Sequence, residues 1–260
     1  PEERLSKKEF GGTIAISITL FVAIFIVLPN LLSNIAGKGD KQASVMASVK
    51  EAAIRAIERR HERANDRERR HAAAARAWLE GDARLAAHRY GELVIDYPRD
   101  SLALQVAHAF DFRLSQREML RDRVAQVLPH WDESVPGSSF VLGLYAFGLE
   151  ETGDYARAEA TARRALDLDP EHAAAIHVVA HVMEMQGRTH EGIHWLESTR
   201  NIWTRNPGFA IHIAWHLALF QLDLDEPEAA LAVYGEKQEC FELAGGYSYE
   251  QRMRTVLHGL

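Results

Sequence analysis

The chain has 260 residues, 47% of them hydrophobic and 26% charged, close to the globular average, which excludes collagen-like, mucin-like and coiled-coil-only architectures. Lys and Arg number 30 against 37 Asp and Glu. The acid excess falls after residue 75, so the body has no basic stripe to neutralise phosphates and no nucleic-acid partner is expected.

The first element is apolar. No charged residue occurs from Phe10 to Gly37, and Thr13 to Leu28 is apolar on every face. A helix crosses a bilayer with about 20 such residues, so residues 10–36 are predicted to form a single membrane-spanning helix within a first segment, 1–37. Pro29 kinks or ends it, because proline lacks the N–H and clashes with the preceding turn. A signal peptide and a buried core helix are the rival readings. Arg4, Lys7 and Lys8 before the span balance Lys38, Lys41, Lys50 and Arg55 after it, which leaves its orientation open. The expected location is therefore a membrane, single-pass, with the side of the remaining chain undecided.

Residues 38–63 read as a charged helical connector. Its arginines alternate with acids at helical spacing, such as Glu51 with Arg55 and, just beyond, Asp66 with Arg70. A polybasic lipid-binding segment would need positive charges without acidic neighbours.

From about residue 64 helical stretches alternate with breaks at Gly81, Ser115, Gly153, Gly187 and Leu222–Asp225. The separation from Gly81 to Ser115 recurs from Gly153 to Gly187, a period of stacked helical hairpins. The fullest copy reads Leu142, Ala146, Leu149, Gly153, Tyr155, Ala158, Ala162, Ala165, Pro170: small residues where two helices approach, a turn, and a proline stop. This resembles the tetratricopeptide repeat. Hairpins are predicted at 64–98, 101–128, 138–170, 172–203 and 207–235, giving an all-α, tetratricopeptide-like solenoid over 64–235 and a C-terminal tail over 236–260. No hairpin buries its apolar side alone, so stacking supplies the core. More narrowly, Leu104 to Phe112, Gly148 to Tyr155, Ala180 to Arg188 and Trp215 to Phe220 resemble the tetratricopeptide repeat protein 38 family. That resemblance implies a soluble repeat protein with no settled reaction. The membrane segment and the tail beyond Tyr234 depart from it.

In repeats of this type the first helix of each hairpin lines the concave face through its fifth, ninth and twelfth positions. Counting back from the turns, hairpins two to five place Leu104, Gly143, His177 and His212 at the fifth position. The ninth holds His108, Phe147, His181 and His216, and the twelfth Asp111, Glu150, Glu184 and Leu219. His108, Asp111, Phe147, Glu150, His177, His181, Glu184, His212 and His216 are therefore the predicted groove residues. His177, His181 and Glu184 share one helical face, at spacings that suit a divalent metal such as zinc; imidazoles there can also act as acid and base.

Another motif, His190-Glu191-Gly192-Ile193-His194, matches the His-Glu-x-x-His zinc-protease helix, but it falls on an outer second helix with Gly192 at a packing position. No serine-hydrolase elbow, phosphate loop, dinucleotide fingerprint or calcium loop occurs. The favoured function is a membrane-anchored interaction protein whose acidic, histidine-lined groove binds a partner protein or segment. A metal-dependent enzyme or small-molecule binder using the same groove, and an accessory subunit of a larger membrane complex, are the alternatives.

Overall fold

A computed structural model describes residues 64–206 and 209–233, with positions 52, 54–56 and 59. The predicted span 10–36, most of the connector and the tail 236–260 lie outside the described residues. Among the described residues every regular element is helical and none is a strand, and no helix is long and apolar enough to cross a membrane. The chain falls into two compact units, Pro1–Ala72 with Glu239–Leu260, and Ala73–Gln238. In the first, the described positions between 52 and 59 are helical.

The helices are α1 (Asp66–Leu79), α2 (Ala83–Asp96), α3 (Ser101–Arg113), α4 (Arg117–Val127), α5 (Ser138–Glu151), α6 (Tyr155–Leu168), α7 (Ala173–Met185), α8 (Thr189–Ser198), the single turn α9 (Arg200–Trp203) and α10 (Ala210–Asp223). A further helical stretch covers 227–233. Each predicted break is a turn of one kind. Gly81, Ser115, Gly153, Gly187 and Asp225 all have positive φ. The amide after each reaches back five residues, from Asp82 to Ala77, Gln116 to Asp111, Asp154 to Leu149, Arg188 to Met183 and Glu226 to Gln221. Orphan carbonyls at five helix ends are thus satisfied by one left-handed closure. Glycine adopts it freely, whereas Ser115 pays about 1 kcal/mol for its Cβ. Asp82 and Asp100 then cap the helices that follow, accepting from the amides of Leu85 and Ala103.

Small residues set the spacing between helices. Ala146 of α5 and Ala158, Ala162 and Ala165 of α6 are wholly buried. At Gly148 a Cβ would stand 2.5 Å from the carbonyl oxygen of Leu120, so α5 rests directly on the backbone of α4. The core of the last two hairpins joins Ile176, Val179 and Met183 of α7 to Leu196 of α8, Trp203 of α9 and Ile213, Leu217 and Phe220 of α10. Each large side chain in it contributes about 1.5–3 kcal/mol of burial.

One buried charge pair ties α3 to α4. Arg123 donates from Nε to Asp111 Oδ2 at 2.7 Å and from Nη2 to Oδ1 at 3.1 Å, and Asp111 has no exposed surface. The guanidinium occupies the space over Gly91 of α2, where a Cβ would lie 2.0 Å from Nη1. Three helices therefore meet on one ion pair.

Candidate functional site

The first helices of hairpins two to five, α3, α5, α7 and α10, pack in series within the second unit. Their rings touch in one run. Phe112 of α3 lies 5.7 Å from Phe147 of α5, which lies 6.2 Å from His181 and 6.4 Å from His177 of α7. His177 is 4.6 Å from His212, and His181 is 4.5 Å from His216, both on α10. Trp215 stacks on His212 with its centroid at 5.5 Å.

At the centre, four imidazole nitrogens converge. The Nε2 atoms of His177, His181 and His212 lie 3.2, 3.0 and 3.2 Å from Nε2 of His216. One nitrogen from each ring fits within a span of 4.8 Å. Helix geometry explains the pairing: His177 with His181, and His212 with His216, stand four residues apart on one face of their helices. His216 presents its other nitrogen, Nδ1, to Glu184 Oε2 at 2.6 Å. A second carboxylate stands behind His181: Glu150 Oε2 is 3.4 Å from His181 Nδ1, and that oxygen is buried with no hydrogen-bond partner. Glu150, Glu151 and His181 form a further group with metal-ligand spacing.

The environment favours the neutral form of His177, His212 and His216. Burial, followed by the imidazoles of His181, His216 and His212, pushes His177 well below the usual imidazole range. His212 is the most exposed of the four rings, yet desolvation and then His216 and His181 bring it down to about 4. Desolvation lowers His216 also, against the pull of Glu184. For Glu184, burial opposes ionisation, but the hydrogen bond to His216 and the adjacent imidazoles outweigh it and hold the carboxyl low. Burial and the neighbouring Glu150 push Glu151 up.

Of the predicted groove residues, His177, His181, Glu184, His212, His216, Glu150 and Phe147 come together here. Two do not. His108 is buried, with Nε2 3.2 Å from the Leu144 carbonyl oxygen, and its ring packs at 5.9 Å on Phe147. Asp111 is consumed by Arg123. The cause is register: Glu150 and Glu184 stand three residues before Gly153 and Gly187, whereas Asp111 stands four before Ser115, which turns it about 100° around its helix. The residue at the equivalent place is Phe112, half exposed at 54%. Counting three residues back from the left-handed Ser115, as for Glu150 and Glu184, identifies it.

In the predicted metal triad Glu184 sits behind His216, while His212 and His216 join His177 and His181 at the centre. The His190–His194 motif lies on α8 with both histidines exposed. Glu191 is held by Arg188 at 2.7 Å, and Gly192 meets the ring of Phe220. Among the described residues those histidines join no metal-capable group.

No family model matches the chain. Among solved structures, a crystal structure of MamA matches with a TM-score of 0.50 and 16% identity, over 67% of this chain and 97% of MamA. A second MamA crystal structure gives 0.47 at 16% identity, over 65% and 91%. MamA is tetratricopeptide-like, and the first match together with the repeated hairpins establishes a tetratricopeptide-type fold for this chain.

Proposed function

We propose that the chain is a tetratricopeptide-type interaction protein, tethered to a membrane through residues 10–36, that binds a segment of a partner protein along the face of α3, α5, α7 and α10. The observation supporting this reading is the continuous ring series from Phe112 to Trp215, flanked by the carboxylates of Glu150, Glu151 and Glu184. Rigid rings offer contact area at low entropic cost, and the acids favour a segment carrying basic residues. Exposed apolar side chains at the helix ends, Phe112 and Met185 at 59%, extend the surface. Stacked helical hairpins present such faces as a rule. The strings quoted above ally the chain with the tetratricopeptide repeat protein 38 family at a finer level. A photocrosslinker placed at Met185 should capture a protein from the native membrane, and one at His194, on the second helix of the same hairpin, should not. Equal capture from both positions overturns the reading. Residues 10–36 should keep the chain in the membrane pellet under alkaline carbonate, and their deletion should release it.

The four convergent imidazoles favour a second reading, a metal-dependent enzyme or small-molecule binder. Turnover or small-molecule binding lost on chelation and restored by metal is its test.

A further inference from the structure

We infer that His177, His181, His212 and His216 form a four-imidazole site for a divalent transition metal, zinc above others, and that this ion staples the fifth hairpin to the fourth. Glu184 and Glu150 are its outer carboxylates. This does not depend on partner binding.

The 2.6 Å contact of His216 Nδ1 with Glu184 Oε2 is a hydrogen bond in which the imidazole N–H donates and the carboxylate accepts. In neutral His216 that leaves Nε2 as a bare lone pair. Three further Nε2 atoms press on it at 3.0–3.2 Å, and one in-plane lone pair accepts one N–H well. The other two contacts set either proton against proton or lone pair against lone pair. A cation removes the conflict, because all four nitrogens then offer lone pairs to a common centre. The three spacings to His216 suit it, since zinc–nitrogen bonds of about 2.0–2.1 Å at tetrahedral angles put ligand nitrogens about 3.3 Å apart, and one nitrogen from each of the four rings lies within 4.8 Å of the others.

Outer groups complete the picture. Imidazoles on a metal donate their remote N–H to carboxylates, which fixes the tautomer and ring orientation. Glu184 already serves His216 in this way. Glu150 is otherwise unexplained: a buried carboxylate oxygen without a partner is costly, and it faces Nδ1 of His181 at 3.4 Å. With an ion on Nε2 of His181, Nδ1 carries a proton that Glu150 can accept. Two carboxylates beside the ring cluster also place negative charge close to a dication held by four neutral ligands. Four nitrogens close a tetrahedral shell, so the site resembles structural rather than open catalytic zinc centres. Its ligands come in pairs from α7 and α10, so the ion cross-links successive hairpins.

Full-length chain stripped with EDTA should take up one Co²⁺ per chain, with the strong visible absorption of a four-coordinate ion, and Zn²⁺ should displace it. His177→Gln and His216→Gln should each weaken binding at least tenfold, and Glu184→Gln about tenfold. His190→Gln and His194→Gln should leave it unchanged. Bound Zn²⁺ should raise the melting temperature of the wild type and not of His177→Gln. Absence of stoichiometric uptake by the wild type in competition with a weak chelator overturns the proposal. So does the faint spectrum of an octahedral ion, binding retained in the His177→Gln/His216→Gln double variant, or binding lost in the His190→Gln/His194→Gln pair. If circular dichroism shows the buried variants unfolded, the wild-type stoichiometry and spectrum, with His212→Gln on the exposed rim, decide. Crosslinking from Met185 is a separate readout, so partner binding and metal binding can fail independently.

Discussion

Hairpins two and four carry the same short pattern, histidine followed three residues later by an acid, and use it for opposite ends. In α3, His108 and Asp111 turn inward, one to the Leu144 carbonyl and the other to Arg123. In α7, His181 and Glu184 turn toward α10 and meet His216. The acid stands four residues before the left-handed turn in one case and three in the other, a difference of one residue, or about 100° of helix. The phase of a polar pair against the turn therefore decides whether it meets an arginine and a backbone carbonyl or joins the ring cluster. Its own spacing is silent on the matter.

The contrast can be broken first at Asp111. Asp111→Asn leaves the Arg123 guanidinium buried without its counter-charge and should cost about 3–5 kcal/mol in urea unfolding, whereas Glu184→Gln of the metal-free protein should cost less than about 1 kcal/mol. Equal losses would erase the distinction between the two hairpins. An Asp111→Leu/Arg123→Leu double variant should recover much of the loss.

Acid titration addresses the histidine of the same pair. Burial brings His108 down to about 4, with the Leu144 hydrogen bond opposing and Arg123 adding to the shift, while an unfolded imidazole titrates near 6.5. The unfolded chain takes up this proton first as pH falls. The stabilising contribution is whole above about pH 6.5 and is lost progressively toward 4, on the order of 3 kcal/mol across the window. Urea midpoints of wild type and His108→Asn, followed between those limits, should differ in slope by about one proton.

Next in size is Gly148→Ala. The new methyl would press on the backbone of α4, so stability should fall by about 2 kcal/mol, with folding cooperativity intact. The smallest effect concerns the turn that sets the phase. Ser115→Gly relieves a left-handed residue and should stabilise by about 1 kcal/mol in thermal melts, leaving α3 in register. A loss of stability there would mean that the serine side chain supports the turn.

Much of the molecule was legible beforehand. The five breaks, the small residues at Ala146 and Ala158 and the proline stop at Pro170 reveal the hairpins, because turn chemistry and close helix approach demand particular residue types locally. The central histidines were legible for a related reason: four-residue spacing puts His177 with His181, and His212 with His216, whatever their surroundings. Asp111 and Phe112 exchange places relative to expectation, since the count back from Ser115 was one residue longer than the counts from Gly153 and Gly187, and the left-handed residue fixes the register. Equally hidden was the partner of Asp111. Arg123 sits in a helix of low mean hydropathy, and nothing local marks it as buried.

The order of residues by itself determined the helices, their turns and which imidazoles share a face, since these follow from backbone propensity and helical period. Tertiary structure alone decided which face meets which. The approach of α10 to α7 joins histidines more than thirty residues apart and sets Glu184 behind one ring and Glu150 behind another, and the packing of α4 on α3 withdraws Asp111 from the series. Such choices depend on side-chain volumes summed over whole interfaces, a quantity that no short stretch of chain contains.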